Sequence, residues 1–182
     1  MNSRSLRDYF APMASTVLIA YATKHDSTRE VAEQVAEVLR ADGLATEVRA
    51  AGEVIDVEPY DGVVVGGALY MGRWHRDARR LLSSQRAGLA GRPVWVFGMG
   101  PLDLDERSVE GARKQLDHAL RKVPEVEPVD VAVFGGVVHQ AGLRFPFDKL
   151  PETDARDPEA IRAWAHGIAP VLKAGRAAAT GR

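Results

Sequence analysis

The stretch "TVLIAYATKHDSTRE" at residues 16–30 decides the fold, because it passes from an apolar run through a hydroxyl-rich loop into a helix. The run at 16–22 is continuously apolar, which is typical of a strand covered on both faces in a parallel sheet. From Ser27 onward, valines and a leucine recur at helical spacing, and Gly43 supplies a stop. We therefore predict a central strand, a loop and a helix that begins with a Ser27–Glu30 capping box.

The rest of the chain repeats this alternation. Further strands are predicted at residues 45–51, 62–68, 93–100 and 129–136, and further helices at 75–89, 105–123 and 157–175. Asp157 is expected to cap the last helix, with Pro158 at its first helical position. The order, βαβαβαβαβα, predicts an α/β fold: a doubly wound five-stranded parallel sheet in a three-layer αβα arrangement. We expect one domain at 16–175 between a flexible leader at 1–15 and a flexible tail at 176–182.

Charge and composition exclude several classes of function. The 24 basic and 25 acidic side chains nearly cancel, so we expect no nucleic acid partner. No segment approaches the roughly 20 apolar residues that cross a bilayer, so no integral membrane contact is expected. The absence of cysteine excludes disulfides and thiolate metal sites and favours a cytoplasmic protein. The five histidines show no spacing typical of metal ligands, so no metal is expected.

Three loops follow strands of the predicted sheet, at residues 23–28, 66–75 and 98–105. Ligands of such sheets bind beyond the carboxyl ends of the strands, so these loops are expected to share one edge. In the first loop, backbone N–H groups at the start of the helix favour an anion, and Thr23, Ser27 and Thr28 add hydroxyl donors. The alternative is that Ser27 only caps the helix.

Two windows, "YATKHDSTREVAE" at 21–33 and "GGALYMGRWHRDARRLL" at 66–82, resemble the flavodoxin family. They look closest to the branch that includes menaquinone-dependent protoporphyrinogen oxidases. The resemblance implies the strand order 2-1-3-4-5, an FMN cofactor and electron transfer with an unidentified redox partner. The nearest branch implies an FMN-dependent, protoporphyrinogen oxidase-like enzyme activity. It is not our main prediction, because residues 101–128 are acidic to mixed rather than a basic, apolar membrane-docking insertion.

By this resemblance, the first loop would bind the phosphate of FMN and the other two would hold its ring. The implied cofactor-binding residues are Thr23, Lys24, His25, Asp26, Ser27 and Thr28 in the first loop, Ala68, Leu69, Tyr70, Met71, Gly72 and Trp74 in the second, and Gly98, Met99 and Gly100 in the third. Tyr70 and Trp74 are expected to lie against the ring, unless they only fill space beside the next helix. No catalytic side chain is expected, since the flavin carries the redox chemistry.

Asp26 departs from the flavodoxin pattern, because it stands where that family has a glycine in Thr-x-Thr-Gly-x-Thr. Aspartate tolerates the left-handed backbone that glycine allows, but its carboxylate repels a phosphate by roughly 1 kcal/mol per pair of charges at about 4 Å in water. A second hypothesis is therefore a flavin-free binding module with the same fold.

The sequence leaves two questions open, namely a dimer contact and the role of one segment. Exposed Trp74, or Phe145 and Phe147, could support a homodimer. The segment 143–150 is either a lid over the cleft or a packed connector, and we favour the connector.

Overall fold

The computed structural model describes residues 14–24, 26–138 and 152–180. Its strands are β1 (Thr16–Ala22), β2 (Ala45–Ala50), β3 (Gly62–Tyr70), β4 (Arg73–Trp74), β5 (Val94–Met99), β6 (Asp130–Phe134), β7 (Val137–Val138) and β8 (Thr153–Asp154). Its helices are α1 (Ser27–Ala41), α2 (Arg76–Ser84), α3 (Arg86–Ala90), α4 (Glu106–Leu120), α5 (Pro158–His166) and α6 (Ile168–Thr180).

The main sheet has the order β2-β1-β3-β5-β6, and each neighbouring pair is parallel. This confirms the predicted doubly wound sheet with its 2-1-3-4-5 order, in which β5 and β6 are the fourth and fifth parallel strands. The short strand β4 folds back antiparallel on β3, and β7 pairs with β8 in a separate two-stranded sheet.

Helices cover both faces of the sheet, as predicted for a three-layer αβα fold. On one face, Val31 and Val35 of α1 and Ile161 of α5 pack against Ile19 of β1. On the other face, the helices α2, α3 and α4 pack against the opposite side chains of the same strands. Because the apolar runs supply buried side chains to both faces, the central strands carry no alternating pattern.

The ends of α1 match the prediction at one terminus only. Gly43 has φ 85° and the N–H of Leu44 donates to the carbonyl of Leu39 at 2.9 Å, which is the predicted glycine-dependent stop. At the start, however, Asp26 occupies the cap position and Ser27 is already helical. The predicted Ser27–Glu30 capping box is therefore wrong.

The chain departs from strict alternation between β2 and β3. A single 3₁₀ turn at Ala51–Glu53 stands there, so the order βαβαβαβαβα lacks one of its helices. The segment 54–61 carries Pro59 and no apolar repeat at helical spacing, which accounts for the missing helix.

Two predicted helices are each divided in the structure. The helix predicted at 157–175 breaks at Gly167, because the ring of Pro170 would clash with the carbonyl of His166 in a continuous helix. Asp157 caps α5 as predicted, since its carboxylate accepts from the N–H groups of Glu159 at 2.9 Å and Ala160 at 3.1 Å. The helix predicted at 75–89 divides at Gln85, and α6 continues to Thr180, beyond its predicted end at residue 175.

None of the helices in the described part of the chain is both long enough and apolar enough to cross a membrane.

Candidate functional site

The carboxyl ends of β1, β3 and β5 are neighbours, because these strands are adjacent in the sheet. After β1, the chain forms β2 on one side of β1 and then crosses to form β3 on the other side of β1. The topological switch point therefore lies between β1 and β3. The three loops that the sequence indicated therefore do meet at one edge. We treat this edge as the candidate site.

Asp26 has the left-handed backbone expected of the glycine that it replaces. Its φ is 58° and its ψ is −16°, and its carbonyl accepts from the N–H of Glu30 at 3.0 Å. The carboxylate makes no hydrogen bond to the first turn of α1, and the residue is exposed. Asp26 therefore occupies the cap position without a side-chain cap hydrogen bond, and its negative charge stays at the start of the helix.

Thr28 holds an unpaired hydroxyl at the beginning of α1. The residue is fully buried, and its Oγ1 has no hydrogen-bond partner. A buried hydroxyl without a partner costs free energy of the order of 1–3 kcal/mol, so such groups are rare unless a ligand or water satisfies them. Of the other predicted residues in this loop, Thr23 and Ser27 are half-buried, Lys24 is exposed, and His25 lies outside the described residues.

The loop after β3 is a tight hairpin that joins β3 to β4. Tyr70 pairs with Arg73 across a two-residue turn, and both turn residues, Met71 and Gly72, have positive φ of 48° and 75°. A methionine in this region of backbone space is uncommon and strained. Tyr70 is 44% exposed and Met71 is 75% exposed, so the hairpin presents two large apolar side chains at the candidate site.

A contact between side chains joins the first loop to the hairpin. The ammonium of Lys24 lies 4.8 Å from the centroid of the Tyr70 ring, within the range of a cation–π interaction. The predicted phosphate loop and the predicted ring loop therefore touch.

Trp74 does not lie where a flavin could stack on it, and this corrects the prediction. The hairpin reverses the chain and directs the indole into the core beside α2, where it is only 1% exposed. Its Nε1 donates to the carbonyl of Gly67 at 3.1 Å, and a Cβ on Gly67 would lie 2.5 Å from that nitrogen. Gly67 thus makes room for Trp74 rather than for a ligand, and the space-filling alternative describes this residue. Because it is buried, Trp74 also offers no exposed ring to a dimer.

The third loop is also more closely packed than predicted. Met99 is buried in the core on the face of the sheet that α1 covers. Its side chain is therefore not available to cover one face of a bound flavin ring. A Cβ on Gly98 would lie 3.0 Å from Leu69 and Leu116, and one on Gly100 would lie 2.5 Å from Leu69. These glycines therefore let Leu69 pack across the ends of the strands.

A cavity of about 250 Å³ lies between the hairpin and α4. Leu69, Gly72 and Gly100, three of the predicted ring contacts, line it together with Ser108 and Gln115 of α4. The Gln115 Oε1 is buried without a partner. The cavity is smaller than the roughly 300–1,000 Å³ of typical ligand pockets, and no residue of the first loop lines it.

His75 begins α2 directly beyond the hairpin. Its Nδ1 accepts from the N–H of Asp77 at 3.2 Å, so the neutral imidazole caps the helix. Burial lowers the pKa of His75, while the nearby carboxylate of Asp77 opposes this shift. The histidine is therefore held in its neutral form, with the pKa below the ordinary value of 6.5.

One ion-pair cluster at the start of α1 was not found from the sequence. The guanidinium of Arg156 contacts the carboxylate of Glu30, and it also donates to Asp154 from Nε at 2.8 Å and from Nη2 at 2.6 Å. These two carboxylates raise the pKa of Arg156. Glu30 and Arg156 are 126 residues apart in the chain, so no local pattern signals the contact.

The described residues contain no group of three or more histidine or acidic side chains that could hold a metal ion.

Comparison with known proteins identifies the family. The family model for the flavodoxin domain matches residues 18–150, which is more than half of the chain. The chain therefore belongs to the flavodoxin-domain family, as the two sequence windows predicted. A comparison with curated protein sequences finds no significant match.

Solved structures share the fold at low sequence identity. Oxidised flavodoxin 1 from Bacillus cereus matches with a TM-score of 0.56 and 18% identity, over 84% of this chain and 95% of that chain. Rubredoxin oxygen:oxidoreductase from Desulfovibrio gigas matches with a TM-score of 0.54 and 19% identity, over 89% of this chain and 37% of that one. A flavoprotein in complex with FMN from Lactobacillus acidophilus matches with a TM-score of 0.50 and 13% identity, over 66% and 93%.

Proposed function

We propose that the protein binds FMN at the carboxyl edge of its sheet and acts as a flavodoxin-type electron-transfer protein or oxidoreductase. The observation that carries the proposal is the Thr28 hydroxyl, which is fully buried and unpaired at the start of α1, beside the switch point of the sheet. The start of a helix carries partial positive charge and unpaired N–H groups, so a phosphate is the natural partner of this hydroxyl. Because Thr28 is buried, a phosphate reaches its hydroxyl only after the covering residues move.

The hairpin supports the proposal from the other end of the ligand. Tyr70 offers an exposed aromatic surface that suits a flat ring, and its contact with Lys24 keeps it near the phosphate loop. Met71 stands beside it in a strained conformation, which is a feature found often at binding sites. When bound, FMN supplies the redox chemistry, since it accepts and donates electrons through its ring. The residues of this chain hold the phosphate, orient the ring and limit the access of water.

Asp26 is the one residue of the loop that opposes phosphate binding. Its backbone adopts the left-handed conformation that the family's glycine would have. Only the negative charge of its carboxylate therefore opposes phosphate binding. Lys24 and Arg29 offer positive charge nearby in the sequence. We therefore expect weakened rather than abolished binding, and the flavin-free alternative gains no support from the comparisons.

A protoporphyrinogen oxidase-like activity is not part of the proposal. The connection from β5 to α4 contains only residues 100–105, and α4 carries both acidic and basic side chains. Neither is a basic, apolar insertion suited to a membrane-bound substrate and acceptor. The redox partner, a homodimer and a cytoplasmic location stay predictions.

The direct test is a titration of FMN with the purified protein, in which flavin fluorescence is measured. The proposal predicts saturable quenching of the flavin fluorescence as protein is added. Unchanged fluorescence at high micromolar protein would remove the proposal and leave the flavin-free module as the better description.

A further inference from the structure

We infer that Arg156 is a specificity-determining residue of the phosphate site, because it neutralises Glu30 at the start of α1 and so allows a dianionic phosphate to bind there. The inference rests on the proposed FMN site and extends it to a residue far away in the sequence. Arg156 is a positioning residue in this account, since it acts on the ligand through Glu30.

The geometry of Arg156 is well defined. Its side chain is 16% exposed, and its planar guanidinium is held against both oxygens of Asp154, at 2.8 Å and 2.6 Å. The Asp154 Oδ1 also accepts from the backbone N–H of Arg156 at 3.1 Å. Two parallel hydrogen bonds fix the fork in place, so the remaining nitrogen, Nη1, is presented to Glu30 of α1.

Glu30 carries its charge to the place where a phosphate would bind. It lies in the first turn of α1, and its N–H donates to the carbonyl of Asp26. Glu30 lies on the exposed side of this first turn, while Thr28 lies on its buried side. Side chains on a helix lean towards its N-terminus, so we expect the charge of Glu30 to act on the helix start without touching the ligand. Without Arg156, the carboxylates of Glu30 and Asp154 would both lack a counter-charge near the helix start, where Asp26 is also negative.

The charges at this end of α1 decide whether a dianion is tolerated. Asp26 has no cap hydrogen bond that would reduce its charge, and the ammonium of Lys24 is placed over Tyr70. Arg156 is the cation that contacts Glu30 in the described part of the chain. Removal of this cation would leave Glu30 and Asp154 without their shared counter-charge, and their repulsion would add to that of Asp26. A ligand without a phosphate would not be affected.

A merely structural role for Arg156 makes a different prediction. The residue also ties the segment after β8 to α1, so its loss could loosen the fold around the site. A loosened site would bind every flavin less well, with or without a phosphate. The ratio of FMN affinity to riboflavin affinity therefore separates the two roles, since the two ligands differ only by the phosphate.

The test compares FMN and riboflavin titrations for the wild type, Arg156→Gln, Glu30→Gln and the double variant. We expect Arg156→Gln to weaken FMN binding by about five- to tenfold and to change riboflavin binding by less than about twofold. Glu30→Gln in the Arg156→Gln background should restore FMN affinity to within about twofold of the wild type. Glu30→Gln alone, at an exposed position, should tighten FMN binding and leave riboflavin binding unchanged.

Arg113→Gln is the matched control, because Arg113 forms an ion pair with Asp117 on α4, away from the first loop. It should change neither affinity. Equal weakening of both flavins in Arg156→Gln, or no restoration by Glu30→Gln, would overturn the inference while the FMN site itself stands. If Arg156→Gln does not fold, the single variant Glu30→Gln decides, and an unchanged FMN affinity there overturns the inference. A wild type that binds neither flavin would instead contradict the proposed function, and the inference with it.

Discussion

The ammonium of Lys24 lies 4.8 Å from the centroid of the Tyr70 ring, and this contact connects the end of β1 with the hairpin after β3. It places the only exposed aromatic ring of the described hairpin beside the proposed phosphate loop. A cation over an aromatic ring at an exposed site contributes about 0.5–1 kcal/mol, which is enough to bias the orientation of Tyr70 before a ligand arrives.

Replacement of Tyr70 should therefore weaken the binding of the flavin ring. We expect Tyr70→Ala to raise the Kd for FMN by about three- to tenfold, because an aromatic pair contributes roughly 0.5–1.5 kcal/mol beyond the area that it buries. Tyr70→Phe should stay within about twofold of the wild type. Tyr60→Phe is the control, since Tyr60 contacts Glu47 of β2 and not the site. Fluorescence titration measures all three, and an unchanged affinity in Tyr70→Ala would show that the ring binds elsewhere.

Thr28→Val should separate stability from function. Valine has nearly the shape of threonine, and the Thr28 hydroxyl has no partner, so the free energy of unfolding should stay the same or rise by up to about 1 kcal/mol. FMN affinity should fall by roughly tenfold or more, because the phosphate loses a charge-assisted hydrogen bond.

Thr46→Val is a matched control for this experiment. The Oγ1 of Thr46 is also buried and unpaired, but it lies in β2, at the edge of the sheet. Its replacement should give a similar response in denaturant unfolding and no change in FMN binding. Retained FMN affinity in Thr28→Val would contradict the assignment of this hydroxyl to the phosphate.

Asp26 allows the effect of charge to be measured apart from that of backbone conformation. Asp26→Asn removes the charge and keeps a residue that tolerates positive φ, so we expect FMN to bind about fivefold more tightly and riboflavin to bind as before. Asp26→Gly should give at least the same gain. The repulsion argument is wrong if isothermal titration finds unchanged or weaker FMN affinity in both variants.

The order of the sheet and most of its elements were predictable from the sequence. The apolar runs at β1, β3 and β5 and the caps at Gly43 and Asp157 are local signals, and the structure follows them. The prediction failed where contacts between distant parts of the chain determine how the side chains pack. The second window predicted Trp74 against the flavin ring, but the β4 hairpin turns Trp74 inward onto Gly67, and Phe97 fills the space beside Gly66.

Part of the candidate site could not be found from local patterns. The Glu30–Arg156 contact joins residues that only the fold brings together, and the left-handed conformation of Met71 has no clear sequence signal. His25 and the segment 143–150, including Phe145 and Phe147, lie outside the described residues. The predictions for the phosphate contact, the lid or connector, and the dimer therefore stay untested at those positions.

The packing role of Gly66 gives a prediction about stability. A Cβ at this position would lie 2.0 Å from Cζ of Phe97, so Gly66→Ala should lower the free energy of unfolding by about 1–3 kcal/mol. Gly111→Ala is the control, since a Cβ on this residue of α4 would meet no atom within 4 Å and alanine favours a helix. This variant should be stabilised by about 0.5–1 kcal/mol. An equal loss in the free energy of unfolding of both variants, measured by urea unfolding, would contradict the packing of Phe97 against Gly66.

His75 predicts a specific dependence of stability on pH. Burial lowers its pKa in the folded protein below the ordinary value of 6.5, so the unfolded chain binds the proton more readily. The stabilisation is therefore fully present above pH 6.5 and is lost as the pH falls through the lower, folded-state pKa. His75→Asn keeps a capping side chain without this titration. The free energy of unfolding of the wild type should fall relative to that of His75→Asn between about pH 7 and pH 5. Parallel pH profiles for the two proteins would refute the role of the neutral imidazole.

The most direct measurement is a crystal structure of the protein with FMN. The account predicts that a phosphate oxygen lies within about 3.2 Å of the Thr28 Oγ1 and that the ring lies against Tyr70, with Trp74 still buried. An FMN phosphate bound away from the start of α1, or a crystal soaked at millimolar FMN without flavin at this edge of the sheet, would contradict it.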